Sequence, residues 1–221
     1  EINKFKFTKK ILFFDSNHSN DMNLKEISML PTNYVESIYK IFSKLIDTHD
    51  ICLIIKSKKT SHSKIISENE DFKKYLNRNI FIINDPFGMS AQSLTDIADF
   101  SVAVGTNLSS ALIEFVSFSD KYGVFLNYHE SYESNTFYDE FKSKSLIIDD
   151  LNKFELIMLD YLNGDNQIGN WFNYLKDLSV KGKISGHKKI SYFLLETYPL
   201  LHLKKERYLE IIKKKYEDKF N

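Results

Sequence analysis

The chain has 221 residues and a mass of 26.0 kDa, and its 30 Lys+Arg balance 30 Asp+Glu, which excludes bulk electrostatic binding to DNA or RNA. Its 27% charged and 43% hydrophobic residues exclude a disordered chain. One cysteine, Cys52, excludes an internal disulfide framework and fits a reducing compartment, and no apolar run approaches the ~18–20 residues of a membrane span. No signal-peptide pattern is present, and the chain opens on Glu1 rather than Met, which reads as a fragment of something longer.

Residues 9–15 (KKILFFD) predict a strand, followed by a polar loop from Ser16 to about Leu30. Pro31 opens a helix to about Thr48, in which Tyr34, Ile38, Ile41, Phe42 and Leu45 recur at helical spacing. Asp50–Lys56 is apolar on both sides, as in a buried parallel strand. A helix at Glu68–Leu76 and a strand at Asn79–Ile83 follow, closed by the turn signal Asn84-Asp85-Pro86. Ser90–Asp99 predicts a helix with Ser90 as its N-cap, Ser101–Gly105 a fourth strand and Leu108–Ser117 a helix. Tyr122–Asn127 and Ser145–Asp149 complete six strands, and Leu151–Leu162 is a helix with Asn152 near its start and Gly164 past its end. Strands alternating with helices predict an α/β fold: a doubly wound, Rossmann-like, six-stranded parallel sheet over residues 1–165. Residues 166–221 predict a lysine-rich helical C-terminal extension packing on that domain, with Pro199 as a break or kink in Lys188–Phe220.

In an open parallel sheet, ligands bind beyond the carboxyl ends of the strands. The residues after the fourth strand read strand, glycine, polar loop, helix (SVAVG-TNLSS-ALIEF). Gly105 is expected to let the backbone turn sharply. Thr106, Asn107, Ser109 and Ser110 place hydroxyls, an amide and N–H groups at a helix N-terminus, which attracts phosphate. Glu114, one turn on, is placed to accept hydrogen bonds from a ribose diol. Ordinary capping by Ser109, with Glu114 a solvated helix residue, accounts for the same spacing. His49, His62, His187 and His202 lack metal-ligand spacing, and Asp149-Asp150 reads as a helix cap, so no metal is expected.

The stretch Asp96–Glu114 (DIADFSVAVGTNLSSALIE), with YGVFLNYHE after it, resembles the donor half of GT-B glycosyltransferases, most in the flavour of bacterial enzymes of surface and capsular polysaccharide synthesis. The matching features are Ala98-Asp99, Gly105, Ser109-Ser110, Glu114 and Tyr128-His129, with a looser likeness at 181–198 (KGKISGHKKISYFLLETY). The resemblance spans roughly residues 9–200 and is specific only over 96–130.

It implies that Ser109 and Ser110 bind a donor diphosphate, that Glu114 holds the ribose, and that Asn84 to Phe87 lie beside the nucleobase. Lys56 would reach a phosphate, although Lys56-Ser57-Lys58-Lys59 keeps the lysine of a Lys-x-His-Pro motif without its His and Pro, and a solvated basic loop is the alternative. Asn17 and His18 would face the interdomain cleft, His18 as the catalytic candidate that stabilises the leaving diphosphate, or else as a surface histidine. His129 would face the donor or merely cap its strand.

Other classes fit less well. The turn after the first strand, DSNHSND, has no glycine for a dinucleotide, and neither GxxxxGK[ST] nor GxSxG occurs. Asp15 alone does not make the acidic pocket of a phosphoacceptor domain.

The expectation is therefore a cytoplasmic donor domain without a cofactor. It would take a UDP-, GDP-, CDP- or CMP-linked sugar as substrate and a glycan or lipid-linked acceptor as partner. Its own N-terminal domain would lie outside this chain, which alone would bind nucleotide and turn over poorly or not at all. A non-catalytic nucleotide-sugar-binding or interaction domain and a GT-B-fold epimerase fragment are the alternatives. Lys204, Lys205, Arg207 and Lys213 to Lys215 make the C-terminal helix basic, either for peripheral contact with the inner face of an anionic membrane or as a solvated face.

Overall fold

The computed structural model of the chain describes residues 6–16, 18–19, 30–58, 66–83, 89–106, 108–119, 121–128, 136–165 and 167–172. These belong to the first of two compact units, Glu1–Phe172; the second, Asn173–Asn221, which holds most of the expected C-terminal extension, lies outside the described residues.

Six strands form one wholly parallel sheet: β1 (Lys9–Phe14), β4 (Ile51–Lys56), β5 (Ile80–Ile83), β6 (Phe100–Gly105), β7 (Tyr122–Asn127) and β8 (Ile147–Ile148). Their order is β5-β4-β1-β6-β7-β8, so the sheet grows outward in both directions from β1 and is Rossmann-like. Two short parallel strands, β2 (His18–Ser19) and β3 (Leu30–Pro31), make a separate ribbon between β1 and α1 (Thr32–Thr48). Nothing in the polar run Ser16–Leu30 predicts them.

Strand alternation divides the core. Ile11, Phe13, Leu53, Ile55, Phe100, Val102 and Val104 belong to one buried cluster with Ile38, Tyr39 and Phe42 of α1 and Phe154 and Met158 of α5 (Leu151–Leu162). Phe42 links the three layers, its ring 5.3 Å from Phe13 and 5.8 Å from Phe154, both edge-on. On the opposite parity Phe14 meets Phe115 of α3 (Ser110–Phe118) at 6.4 Å. Every residue from Ile51 to Ile55 is buried, the double-sided burial that its continuous apolar run predicts.

Two predicted helices shrink. Over Ser90–Asp99 only a 3-10 turn forms, Gln92–Leu94. There Ser93 and Thr95 hydroxyls donate to the Ser90 and Gln92 carbonyls, and Lys121 Nζ donates to those of Thr95 and Ala98 (2.7 Å to Ala98), so side chains take acceptors a longer helix would use. The residue at the cap of this turn is Ala91 rather than Ser90, although Ser90 Oγ accepts from Ser93 N at 3.2 Å. The helix expected over Glu68–Leu76 is α2 (Glu70–Lys73). Asn69 starts it by accepting from Asp71 N, and Asn77, at φ 58, turns the chain left-handed after it. An unpredicted helix, α4 (Thr136–Ser143), precedes β8. Asp150 caps α5, as the reading of Asp149-Asp150 expects, accepting from Lys153 N at 2.7 Å.

The short β8 leaves the start of β7 open, and residues 167–172 cover it. Gly123 N donates to Gly169 O at 3.0 Å, and Trp171 Nε1 donates to Gly123 O at 2.8 Å. A Cβ on Gly123 would meet Ser101 Oγ, and would lie 2.6 Å from Leu112 Cδ1 and 2.8 Å from the Ser101 carbonyl oxygen. Gly123→Ala is therefore expected to cost about 1–3 kcal/mol. The check is the urea midpoint, which should fall with an unchanged slope.

Candidate functional site

The strand order reverses between β1 and β6, and the chain leaves these neighbours on opposite faces of the sheet. A cleft of about 340 Å³ opens there, beyond the carboxyl ends of three strands. Phe14, Asp15 and Ser16 come to it from β1, and Lys56, Ser57 and Lys58 from β4. Val104, Gly105 and Thr106 come from β6, and Leu108 to Ala111 from the start of α3.

The α3 wall explains the suitability for an anion. A helix leaves its first N–H groups without intrahelical acceptors, and the dipole adds partial positive charge at the same end. Ser109 is the N-cap and accepts from Leu112 N at 3.4 Å, while Ile113 N reaches Ser109 O at 3.2 Å. Ser110 and Ala111 have N–H groups of the orphan kind, and both residues line the cleft. Lys56 is half-buried and Lys58 exposed, and both residues line the same space.

Gly105 plays a different part from the expected one. It is the last extended residue of β6, in register with Asn127, and its carbonyl accepts from Tyr128 N at 3.0 Å. The described glycines with left-handed φ are Gly164 and Gly169, so the chain leaves Gly105 without a left-handed φ there. Glu114 is not among the residues that line the cleft. Its Oε1 accepts from Gln92 N at 3.2 Å, across 22 residues, and braces the 3-10 turn against α3.

Of the residues singled out from sequence, the structure brings Lys56, Gly105, Thr106, Ser109 and Ser110 to one cleft. Asn17, Asn84, Phe87, Asn107 and His129 lie outside the described residues. The backbone of His18 begins β2, and its side chain is likewise outside the description. Asp149 pairs with Lys142 at 2.6 Å, which holds its carboxyl below the usual range. Among the described residues no group of three or more His, Cys, Asp or Glu is arranged to hold a metal ion.

Asp15, weighed from sequence only as part of an acidic pocket, stands at this cleft. It follows β1 directly, its backbone N–H donates to Lys56 O at 3.1 Å, and the residue is only 6% exposed. Burial pushes its carboxyl up to about 7, against a smaller downward pull from the Ser16 backbone N–H. Tyr39 of α1 lies close by: burial first, and then the charge of Asp15, raise its hydroxyl above the ordinary range. An apolar strand ending in an acid at the centre of a parallel sheet is the sequence signal that marks this position.

Asp15 ties stability to pH. A carboxyl near 3.8 when unfolded and near 7 when folded binds its proton more tightly in the folded state. That contribution is full below about pH 4 and is lost as pH rises through 7. Asp15→Asn, which cannot ionise, is therefore expected to gain up to a few kcal/mol on the wild type between pH 4 and pH 8. Urea unfolding of both proteins at several pH values checks it.

No protein-family model matches the chain, and no curated protein matches it either.

Proposed function

We propose that this chain is the donor-binding half of a GT-B-type glycosyltransferase, which moves a sugar from a nucleotide-sugar to a surface-glycan acceptor. The observation that carries the reading is the cleft at the strand-order reversal, walled by the amino end of α3 and bordered by Lys56 and Lys58. The resemblance over Asp96–Glu114 falls on that same wall. In this reading the donor diphosphate lies against Ser109, Ser110 and Ala111, where backbone N–H groups donate to its oxygens at little reorganisation cost.

The chemistry follows from that placement. The bond between the sugar's anomeric carbon and the diphosphate breaks, and its electron pair stays on the diphosphate oxygen. The helix dipole and the two lysines stabilise the charge that develops there. An acceptor hydroxyl forms the new bond and gives its proton to a base in the acceptor-binding domain. The ribose role first assigned to Glu114 competes with its hydrogen bond to Gln92 N, so the diphosphate is the better-supported part of the ligand.

The test is calorimetric titration of UDP, GDP, CDP and CMP into wild type, Lys56→Ala and Ser110→Glu. One nucleotide is expected to bind, about tenfold more weakly to Lys56→Ala. Ser110→Glu puts a carboxylate where a helix start tolerates one, so the melting temperature should hold while binding is lost. Failure of every nucleotide to bind wild type would sink the reading. Binding without any transfer in the two-domain protein would point to a binding module instead.

A further inference from the structure

We propose that Asp15 makes ligand binding in this cleft proton-linked: an anion seated against the amino end of α3 is bound together with one proton, which the Asp15 carboxyl takes from solvent. The inference rests on the anion-binding reading above and concerns the regulation of that site.

The geometry comes first. Ile11 to Phe14 are buried, and Asp15 continues them as the residue where β1 reaches the cleft. Its side chain lies under the floor of the cleft, with both carboxyl oxygens sealed from water. Among the described residues, the polar and charged groups of the cleft and of Tyr39 beside it come from three elements. The end of β4 supplies Lys56 and Lys58. From α1 come Tyr39 and, next to Tyr39, Glu36. The β6–α3 connection supplies the hydroxyls of Thr106, Ser109 and Ser110. His18 follows on β2, with a side chain outside the described residues.

A phosphorylated ligand changes this setting in one direction. It excludes the remaining water above Asp15, which disfavours the ionised carboxyl. It adds like charge nearby, which disfavours it again. Both effects raise the affinity of Asp15 for its proton, and a carboxyl already near 7 is poised to respond around neutrality.

The sign follows from linkage. Well below pH 7 the carboxyl is neutral in both states, and affinity does not depend on it. Above pH 7 it is ionised in the empty cleft and neutral in the occupied one. Affinity then falls by up to tenfold per pH unit until the bound carboxyl itself ionises.

The experiment is calorimetry on the 221-residue chain with UDP, GDP and inorganic pyrophosphate as probes. Wild type and Asp15→Asn are compared from pH 5.5 to 8.5, in buffers of differing ionisation enthalpy. The ligand's own phosphate titration is common to both proteins and cancels. The expected result is equal affinity at pH 5.5, about tenfold tighter binding by Asp15→Asn at pH 8, and uptake of roughly one extra proton per ligand by wild type there. Identical pH profiles and proton counts, with binding intact, would overturn the role of Asp15 and leave the cleft reading standing. Absence of binding by every probe at every pH in both proteins would overturn the cleft reading and this inference together. Should Asp15→Asn not fold, the wild-type carboxyl is followed by carbon NMR. Its titration midpoint should move up when the probe is added, and an unmoved midpoint in the presence of bound probe would overturn the proposal.

Discussion

β1 is hydrogen-bonded along both edges, Lys9 to Phe14 with β4 and Ile11 to Phe14 with β6, and the other strands of the six-stranded sheet take their places outward from it. Its amino end is fixed by two side-chain latches. Asp50 accepts from Thr8 N and Thr8 Oγ1, and Asp99 accepts from Lys10 N at 2.8 Å. Both latches belong to residues that enter the neighbouring strands, so the three strands start in a fixed register. At the other end no such closure is needed, because the connections depart to opposite faces. The cleft is thus a consequence of parallel pairing about a central strand, and it would exist whatever ligand it takes.

What fills that cleft is governed by a local charge balance that the net charge of zero conceals. On one side stand the helix start, Lys56 and Lys58; on the other stands a buried carboxyl at the end of the central strand. The favourable contributions act at the surface of the cleft, and the lysines among them are weakened by solvent. Asp15 acts from beneath, where the dielectric is lower and screening is poor. A buried acid there is expected to make the fold less stable at neutral pH than an amide would, and Asp15 stands where the central strand runs out into the cleft.

The strands were legible because burial on both faces leaves a continuous apolar run, and ICLIIK or SVAVG has little else to become. The helices α1 and α5 were legible from their apolar stripes. The misses share a cause, which is dependence on partners far along the chain. The segment around Gln92 has a helical composition, but Glu114 and Lys121 hold it in a single tight turn. The Glu114 contact also removes that carboxylate from the role its spacing suggested. Residues 167–172 are ordered around Gly123, 46 and 48 positions away for Gly169 and Trp171, and nothing local announces that. Asp15 was read only as too little to make an acidic pocket, and its burial comes from the three-dimensional closure around β1.

The same closure explains why the anion site should lie at α3 and not at α1. A dinucleotide-type fold uses a glycine-rich turn from its first strand straight into the first helix, whose start then receives the phosphates. Here the β2–β3 ribbon intervenes, and α1 begins after Pro31, which offers no side-chain cap. Tyr34 in the first turn of α1 packs against Tyr128, ring centres 4.7 Å apart, which brings the start of α1 beside the end of β7. The amino end of α1 is absent from the walls of the cleft. The next helix start at the strand-order reversal is that of α3, one strand across from β1. A ligand that needs a helix dipole must take it from there, with Asp15 beneath it.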